Sequence, residues 1–270
     1  MNVENLLKYT EYLKSEIKSL EYNPDDVRHS FFGLYYTCIY EYYIGKITYE
    51  ISRFIGTGDI KFSENIFSFK THIGRLFEIK ENNILSKGFH MSLNRNLIIG
   101  VWTSFELSIN LIFENIIIDD EREKIVKRLN EKILKEIEGI ENVNYDAIIN
   151  HLKNTTFIPF LRQFNYLVKR KPNCYIGDLK EDRKFLEFVV KLRNCLVHSN
   201  GIYHGKDFYY KFGNEEFKFI DKEMFYQKGS NYKNVYFDIG IKINEIFKNI
   251  INCLKDINFI KYPEDDKNIA

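Results

Sequence analysis

The chain has few of the residues that build disulfide frameworks, zinc sites and breaks between helices. Its 270 residues include four prolines and four cysteines. The cysteines are scattered, and no two of them have CxxC spacing: Cys38, Cys174, Cys195 and Cys253. This spacing argues against a zinc knuckle and against a disulfide scaffold. Reduced thiols in a cytoplasmic protein are the simpler interpretation.

The sequence also lacks a charge bias, a signal-peptide pattern in its first residues and a long apolar run. The formal net charge is +1, so any nucleic-acid contact must use a local patch rather than the whole surface. The first residues, Met1–Asn5, have neither the basic flank nor the apolar core of a signal peptide. The apolar run Leu97–Trp102 is too short to cross a bilayer. We therefore expect no membrane contact.

What the chain does contain is a globular composition with strong helical periodicity. Hydrophobic residues make up 44% and charged residues 29% of the sequence, as in folded proteins that bury a core. Apolar residues recur at helical spacing in several segments. They predict helices over 3–21, from the Asn23–Asp26 break to about 55, around His72–Ile79, and over about 92–118, 119 onward, 145–153, 156–169, 182–198 and 239–254.

The periodicity changes from helical to alternating after Gly201. Phe208, Tyr210 and Phe212 alternate with polar residues before Gly213–Asn214, and Phe217 and Phe219 alternate after it. Such a pattern predicts a β-hairpin, and the apolar run Val235–Phe237 is compatible with one more short strand. The predicted fold class is therefore all-α, a helical bundle with a small β-hairpin insertion after the helix at 182–198.

That helix carries an unusual polar group late in its apolar face. At about 100° per residue, Arg193 falls between Leu186 and Val197, where a core helix would carry leucine. Asn194 and His198 lie on the polar side, just before an Asn-Gly stop. Arg193 could snorkel to water, and His198 could simply complement the helix dipole. A buried guanidinium, however, needs a partner.

A second polar residue interrupts the apolar stripe of the helix at 92–118. Glu106 comes four residues after Trp102 and three before Ile109, and a buried carboxylate is costly unless it is paired. Facing Arg193 would satisfy both groups, and Asn110 could join them. The alternative is that Glu106 lies at the edge of the stripe and reaches water.

Arg193-Asn194 followed by His198 resembles the Arg-(four to six residues)-His motif of the HEPN superfamily, in the form with Asn after Arg. The resemblance covers about residues 88–260 and suggests an N-terminal helical extension over 1–87, a HEPN-like domain over 88–262 and a tail over 263–270. It implies a homodimer whose paired motif helices cut RNA without a metal or cofactor, as a toxin or antiviral-defence effector with an antitoxin or defence partner protein. Glu106 resembles the acidic residue that such proteins carry on an earlier helix.

The residue types suit that chemistry. RNA supplies its own nucleophile, the 2′-hydroxyl. His198 can exchange protons near neutral pH, Arg193 can grip phosphate oxygens, and Asn194 can orient either group. Five residues separate Arg193 from His198, about 140° around the helix and roughly 7–8 Å along it. We therefore expect no compact site on one helix, but a composite site across a dyad.

Other interpretations stay open. No HExxH, GxxxxGK[ST] or GxSxG motif is present, although Glu78-Ile79-Lys80 matches part of a metal-dependent nuclease core. The run Lys169-Arg170-Lys171 could contact RNA backbone or be a solvated loop. A catalytically silent HEPN-like module that binds nucleotide, RNA or a protein partner is the alternative function.

Overall fold

The computed structural model describes residues 3–57, 83–138, 158–198, 201–229 and 234–261, together with 144, 148 and 152. These residues form a mostly helical fold with a small antiparallel sheet. The helices are α1 Val3–Lys18, α2 Val27–Thr57, α3 Asn83–Ile116, α4 Asp119–Ile137, α5 Phe160–Lys169, α6 Leu179–His198 and α7 Val235–Asn252. The strands are β1 Phe208–Phe212, β2 Glu215–Phe219 and β3 Tyr226–Lys228.

Helix α3 is the centre of the bundle and packs against α2, α5, α6 and α7. Its stretch Gly88–Ile116 is long and apolar enough to cross a membrane by length and composition, but 61% of that apolar window is buried inside the protein. A helix that is apolar on most sides and enclosed by other helices is typical of a core element. The sequence analysis considered only the short run Leu97–Trp102 and so did not detect this longer apolar stretch.

The first two helices share one hydrophobic core with the rest of the chain. Phe31 of α2 stacks on Phe247 of α7 with ring centroids 3.7 Å apart, and Tyr9 of α1 meets Phe237 edge-on. The buried ion pair of Arg28 with Asp26, at 2.7 Å, lies at the start of α2 and is hydrogen-bonded to the backbone of the segment after α7. Helices α1 and α2, which belong to the region expected to be an N-terminal extension, are therefore packed into the same core.

The sheet has the order β1-β2-β3, with both pairs antiparallel. The β1–β2 hairpin confirms the expectation from the alternating phenylalanines, and Gly213 has the positive φ of 57° that a two-residue turn of this kind needs. The inner face of the sheet packs on α6, where Phe188 stacks with Tyr210 at 4.5 Å and meets Phe217 at 4.7 Å.

The third strand is not where the sequence suggested. Val235–Phe237 forms the first turn of α7 rather than a strand, because all three residues are buried in the helical core and continue the apolar face of the closing helix. Tyr226–Lys228 forms β3 instead. The other boundaries differ by a few residues, except that α3 begins at Asn83 rather than near 92. The expected helix at His72–Ile79, most of the one at 145–153 and the tail at 263–270 lie outside the described residues.

Candidate functional site

Helix α6 is held firmly at its start. The Asp178 carboxylate accepts from the backbone N–H groups of Lys180 and Glu181 at 2.9 and 3.1 Å, which caps the helix. One turn later the buried Asp182 accepts from the Tyr175 hydroxyl at 2.8 Å and pairs with Lys242 of α7 at 2.9 Å. Burial, and the hydrogen bond to Asp182, raise the pKa of Tyr175 above its usual range. These contacts fix the axis along which the motif residues are presented.

The end of α6 is equally well defined. Gly201 has a φ of +90°, which favours glycine, and its N–H donates to the carbonyl of Cys195 at 2.9 Å. This bond turns the chain away from α6 three residues after His198 and satisfies one of the free carbonyls at the helix end. The expectation that Gly201 stops the helix is confirmed.

Arg193, Asn194 and His198 come together at this end on a single helix. One terminal guanidinium nitrogen, Nη1, donates to the Asn194 Oδ1 at 3.1 Å and lies 3.2 Å from the His198 Nε2. The expectation that Arg193 and His198 do not form a compact site on one helix is wrong. The long arginine side chain spans the 140° that separates the two Cα positions, which the helical-wheel argument left out.

The contact determines where the imidazole carries its proton. A guanidinium has hydrogen-bond donors and no acceptor, so the His198 Nε2 must be the accepting nitrogen. An imidazole that accepts through Nε2 carries its proton on Nδ1. In this arrangement the Nε2 lone pair is oriented toward Arg193, and it can serve as a base only after Arg193 has moved to another acceptor.

The three side chains differ in their burial. Asn194 and His198 are exposed, whereas Arg193 is half-buried. The Arg193 Nε is buried and has no hydrogen-bond partner among the described residues. An unsatisfied buried donor costs about 1–3 kcal/mol, so a movement of the guanidinium that exposed Nε to a ligand oxygen would be favourable.

Glu106 does not form a direct ion pair with Arg193 among the described side chains, so the expected direct pairing is wrong, and contact through one water molecule stays a prediction. Its Oε2 accepts from the indole N–H of Trp102 at 3.0 Å. Trp102 lies one helical turn earlier on α3, where side chains are in ready reach of each other. Glu106 therefore has Trp102 as its hydrogen-bond partner, in place of the Arg193 that the sequence suggested. Asn110 also takes a different partner, since its Oδ1 accepts from Gln163 at 3.1 Å.

The basic run Lys169-Arg170-Lys171 is exposed and is not in contact with the motif residues. It precedes the first turn of α6, whereas Arg193 lies 14 residues into that helix, about 21 Å along its axis. Lys171 pairs with Asp256, which follows α7, at 3.3 Å. Although desolvation opposes it, a backbone hydrogen bond, the hydrogen bond and charge of Lys171, and the charge of Arg170 hold the pKa of Asp256 below its usual range.

The hydrogen-bonded pair of Lys191 and Tyr203, near the site, could not be predicted from the sequence. Lys191 lies on the same side of α6 as Asn194 and His198, and its Nζ donates to the hydroxyl of the buried Tyr203 at 3.0 Å. Lys191 is two helical turns before His198, so helical spacing alone could have placed it on this side. Tyr203 meets it only because the chain reverses at Gly201, a long-range effect without a local sequence signal.

The described residues contain no group of three or more His, Cys, Asp or Glu side chains that could hold a metal ion. Burial raises the pKa of the Cys38, Cys195 and Cys253 thiols, which keeps them protonated. In the part of the chain described here, all four cysteines are free. The side-chain chemistry at the end of α6 is therefore that of an arginine, an amide and an imidazole.

Comparison of the chain with protein-family models, with curated proteins and with solved structures found no significant match. The resemblance to HEPN proteins therefore depends on the motif and on its position in α6.

Proposed function

We propose that this protein is a metal-independent endoribonuclease of HEPN type that acts as a homodimer. The observation that carries the proposal is the contact of the Arg193 guanidinium with both the Asn194 amide and the His198 imidazole at an exposed helix end. A fixed cation beside a titratable ring is what phosphodiester transfer by a neighbouring hydroxyl requires.

The reaction begins when an RNA phosphate binds the Arg193 guanidinium, which then no longer contacts the His198 imidazole. The phosphate oxygens accept from Arg193, including its unsatisfied Nε, in the bidentate geometry that this side chain favours. His198 Nε2 is then free to accept the proton of the 2′-hydroxyl. The O2′–P bond forms, the P–O5′ bond breaks, and the leaving 5′ oxygen takes a proton. The products are a 2′,3′-cyclic phosphate and a 5′-hydroxyl.

A dimer supplies the second proton-transfer group. His198 of the partner subunit, in its protonated form, would protonate the 5′ oxygen while the first imidazole acts as the base. Val190, Leu196 and Val197 remain half-buried late in α6, so a second copy could cover them. Light scattering at micromolar concentration should give the mass of a dimer, and a monomer would contradict the composite site.

The proposal is tested by incubating the purified full-length protein with total RNA in EDTA. We expect cleavage that leaves cyclic phosphate ends, because the proposed groups are side chains that need no metal. DNA should stay intact since it lacks the 2′-hydroxyl. His198→Ala should lower the rate about 10²–10⁴-fold, the usual loss for a general acid–base, and Arg193→Ala should lower it comparably.

Two variants serve as matched controls. His204→Ala removes another exposed histidine, and Arg183→Ala removes an exposed arginine from the same helix. Both should cleave at the wild-type rate. Unchanged cleavage by His198→Ala would contradict the mechanism. RNA or nucleotide affinity without cleavage by the folded wild type would favour the alternative, a catalytically silent binding module. A toxin or antiviral-defence role, with an antitoxin or defence partner, is the setting that the HEPN resemblance suggests.

A further inference from the structure

The outer face of the sheet carries tyrosines and lysines in rows across the three strands. Directly paired residues point to the same side of a sheet, and the register pairs Tyr209 with Lys218 and Lys218 with Tyr226. The next row, by the same register, consists of Lys211, Glu216 and Lys228. The opposite face of the sheet is the one that packs on α6, so both rows face away from the protein core.

Both tyrosines of the first row are well exposed. Tyr209 is 61% exposed and Tyr226 is 54% exposed. Two strand spacings separate them, roughly 10 Å, and no ring contact joins them among the described residues. Lys218 is half-buried between them. The row therefore presents two separate ring faces with a positive charge between them.

The lysines of this face are available to bind an anion. Within the described part of the chain, Lys211, Lys218 and Lys228 form no ion pair, although Glu216 lies between two of them in the register. Three positive charges against one negative charge give the face a positive excess, in a chain whose net charge is only +1. A locally basic surface of this kind complements a polyanion.

This face is also continuous with the end of α6. The Gly201 carbonyl accepts from the Phe225 N–H at 2.8 Å, and Ile202 bridges to Met224, just before β3. Ile202 and Met224 are 38% and 69% exposed. Because the Gly201 N–H also donates to the carbonyl of Cys195 in α6, this edge of the sheet adjoins the end of that helix.

We propose that the outer face of the sheet binds single-stranded RNA and positions it for the site at the end of α6. This inference rests on the proposed function and names the surface that holds its substrate. Exposed tyrosine rings stack with unpaired bases of any sequence, and neighbouring lysines contact the phosphates between them. Separated rings with interleaved charges suit this ligand better than a second copy of the chain, which would favour a continuous apolar patch.

The test measures the binding of a fluorescein-labelled oligouridine 12-mer with 2′-O-methyl groups, which the 2′-hydroxyl reaction cannot cleave, to the full-length protein. Tyr209→Ala and Tyr226→Ala should each weaken binding about 5- to 150-fold, the loss expected for one base–aromatic stack. Tyr209→Phe and Tyr226→Phe keep the ring and should bind within about twofold of wild type. Tyr12→Ala, which removes a tyrosine of α1 that is 52% exposed, should have no effect.

The lysines give an independent readout. For single strands, each phosphate contact contributes about 0.7 to the slope of log affinity against log salt concentration. Replacing Lys211, Lys218 and Lys228 together with alanine should therefore lower that slope by about 2. Lys127→Ala, an exposed lysine of α4, should leave the slope unchanged.

Each outcome bears on a different claim. Wild-type affinity in both alanine variants, or no binding by the wild type, would overturn the proposed RNA surface. Loss of the dimer in the alanine variants with unchanged RNA affinity would assign the face to a second copy instead. Cleavage that is lost in His198→Ala but unchanged in the tyrosine variants would support the proposed function and contradict the proposed RNA surface. Binding that depends on the tyrosines without any cleavage would leave the surface standing without the nuclease.

Discussion

The buried pair between Asp26 and Arg28 allows a sharp test of what holds the two ends of the described chain together. The Asp26 carboxylate accepts four hydrogen bonds, from Arg28 N, Nε and Nη2 at 2.8, 2.9 and 2.7 Å and from Ile260 N at 3.1 Å. Arg28 also donates to the carbonyls of Leu254 and Asn258 at 3.1 and 3.4 Å. The two side chains are 0% and 1% exposed. This pair therefore joins the start of α2 to the segment after α7 with little help from water.

Asp26→Asn keeps the shape of the side chain and removes the charge. The buried guanidinium would then lack its counter-ion, a loss that typically costs about 3–5 kcal/mol. Against a total stability of about 5–15 kcal/mol for a folded domain, this is a large fraction. At about 2–4 °C per kcal/mol for chains approaching this size, Tm should fall by about 6–20 °C. Urea denaturation followed by circular dichroism would measure the free energy directly.

The pH dependence distinguishes the charge from the packing. Burial opposes ionisation of Asp26, but its hydrogen bonds with Arg28 and Ile260 outweigh that effect and lower its pKa. A lowered folded-state pKa adds stability that is present above the unfolded value of about 3.9 and is lost as the pH falls through the folded value. The difference between wild type and Asp26→Asn should therefore shrink below about pH 4.

Two further variants complete the experiment. Asp26→Asn/Arg28→Met removes the orphaned cation and should recover part of the loss. Glu4→Gln breaks an ion pair with Lys8 whose side chains are 67% and 71% exposed, and it should change stability by no more than about 0.5 kcal/mol. A loss below about 1 kcal/mol in Asp26→Asn, or one that does not change between pH 7 and pH 3, would refute the reasoning.

Two other stability predictions follow from the ends and interiors of helices. Gly201→Ala should lower the free energy of unfolding by about 1–3 kcal/mol, measured by urea denaturation, because alanine is strained at a φ of +90°. Gly33→Ala, in α2, has nothing within 4 Å of the new Cβ and should raise that free energy by about 0.5–1 kcal/mol. Equal effects of the two substitutions would contradict this account. His198→Ala should change stability by less than about 0.5 kcal/mol because the ring is exposed, and a larger loss would mean that His198 has a structural role.

Local periodicity predicted the fold well wherever one helix face is buried. The spacing of apolar residues gave α1, α2, α6 and α7 to within a few residues, and the Gly213–Asn214 turn gave the β1–β2 hairpin. The third strand was missed because Tyr226, Gln227 and Lys228 do not alternate apolar and polar residues, and its outer residues are exposed. Val235–Phe237 was misassigned since a short buried apolar run has the same composition in a strand and in a helix.

The contacts within the candidate site could not be predicted from the sequence. The helical wheel placed Arg193 inside the apolar arc, and its side chain is half-buried. The wheel treated side chains as points, however, and so missed the reach of the guanidinium to His198. The direct pairing of Glu106 with Arg193 was inferred because a buried carboxylate and a buried guanidinium each need a polar partner. Each residue found a nearer partner on its own helix, Trp102 for Glu106 and the Asn194–His198 pair for Arg193. Local partners are reached at a lower entropic cost than partners on another element.

The state of Arg193 separates the two interpretations that the sequence left open. A snorkelling arginine packs its methylene stem and leaves the whole guanidinium in water. Here Nη1 is held between an amide oxygen and an imidazole nitrogen, while Nε is buried without a partner. A purely structural arginine would gain nothing from an unsatisfied buried donor. In the proposed chemistry, a guanidinium that moved to a phosphate could satisfy that nitrogen and release His198 in the same movement.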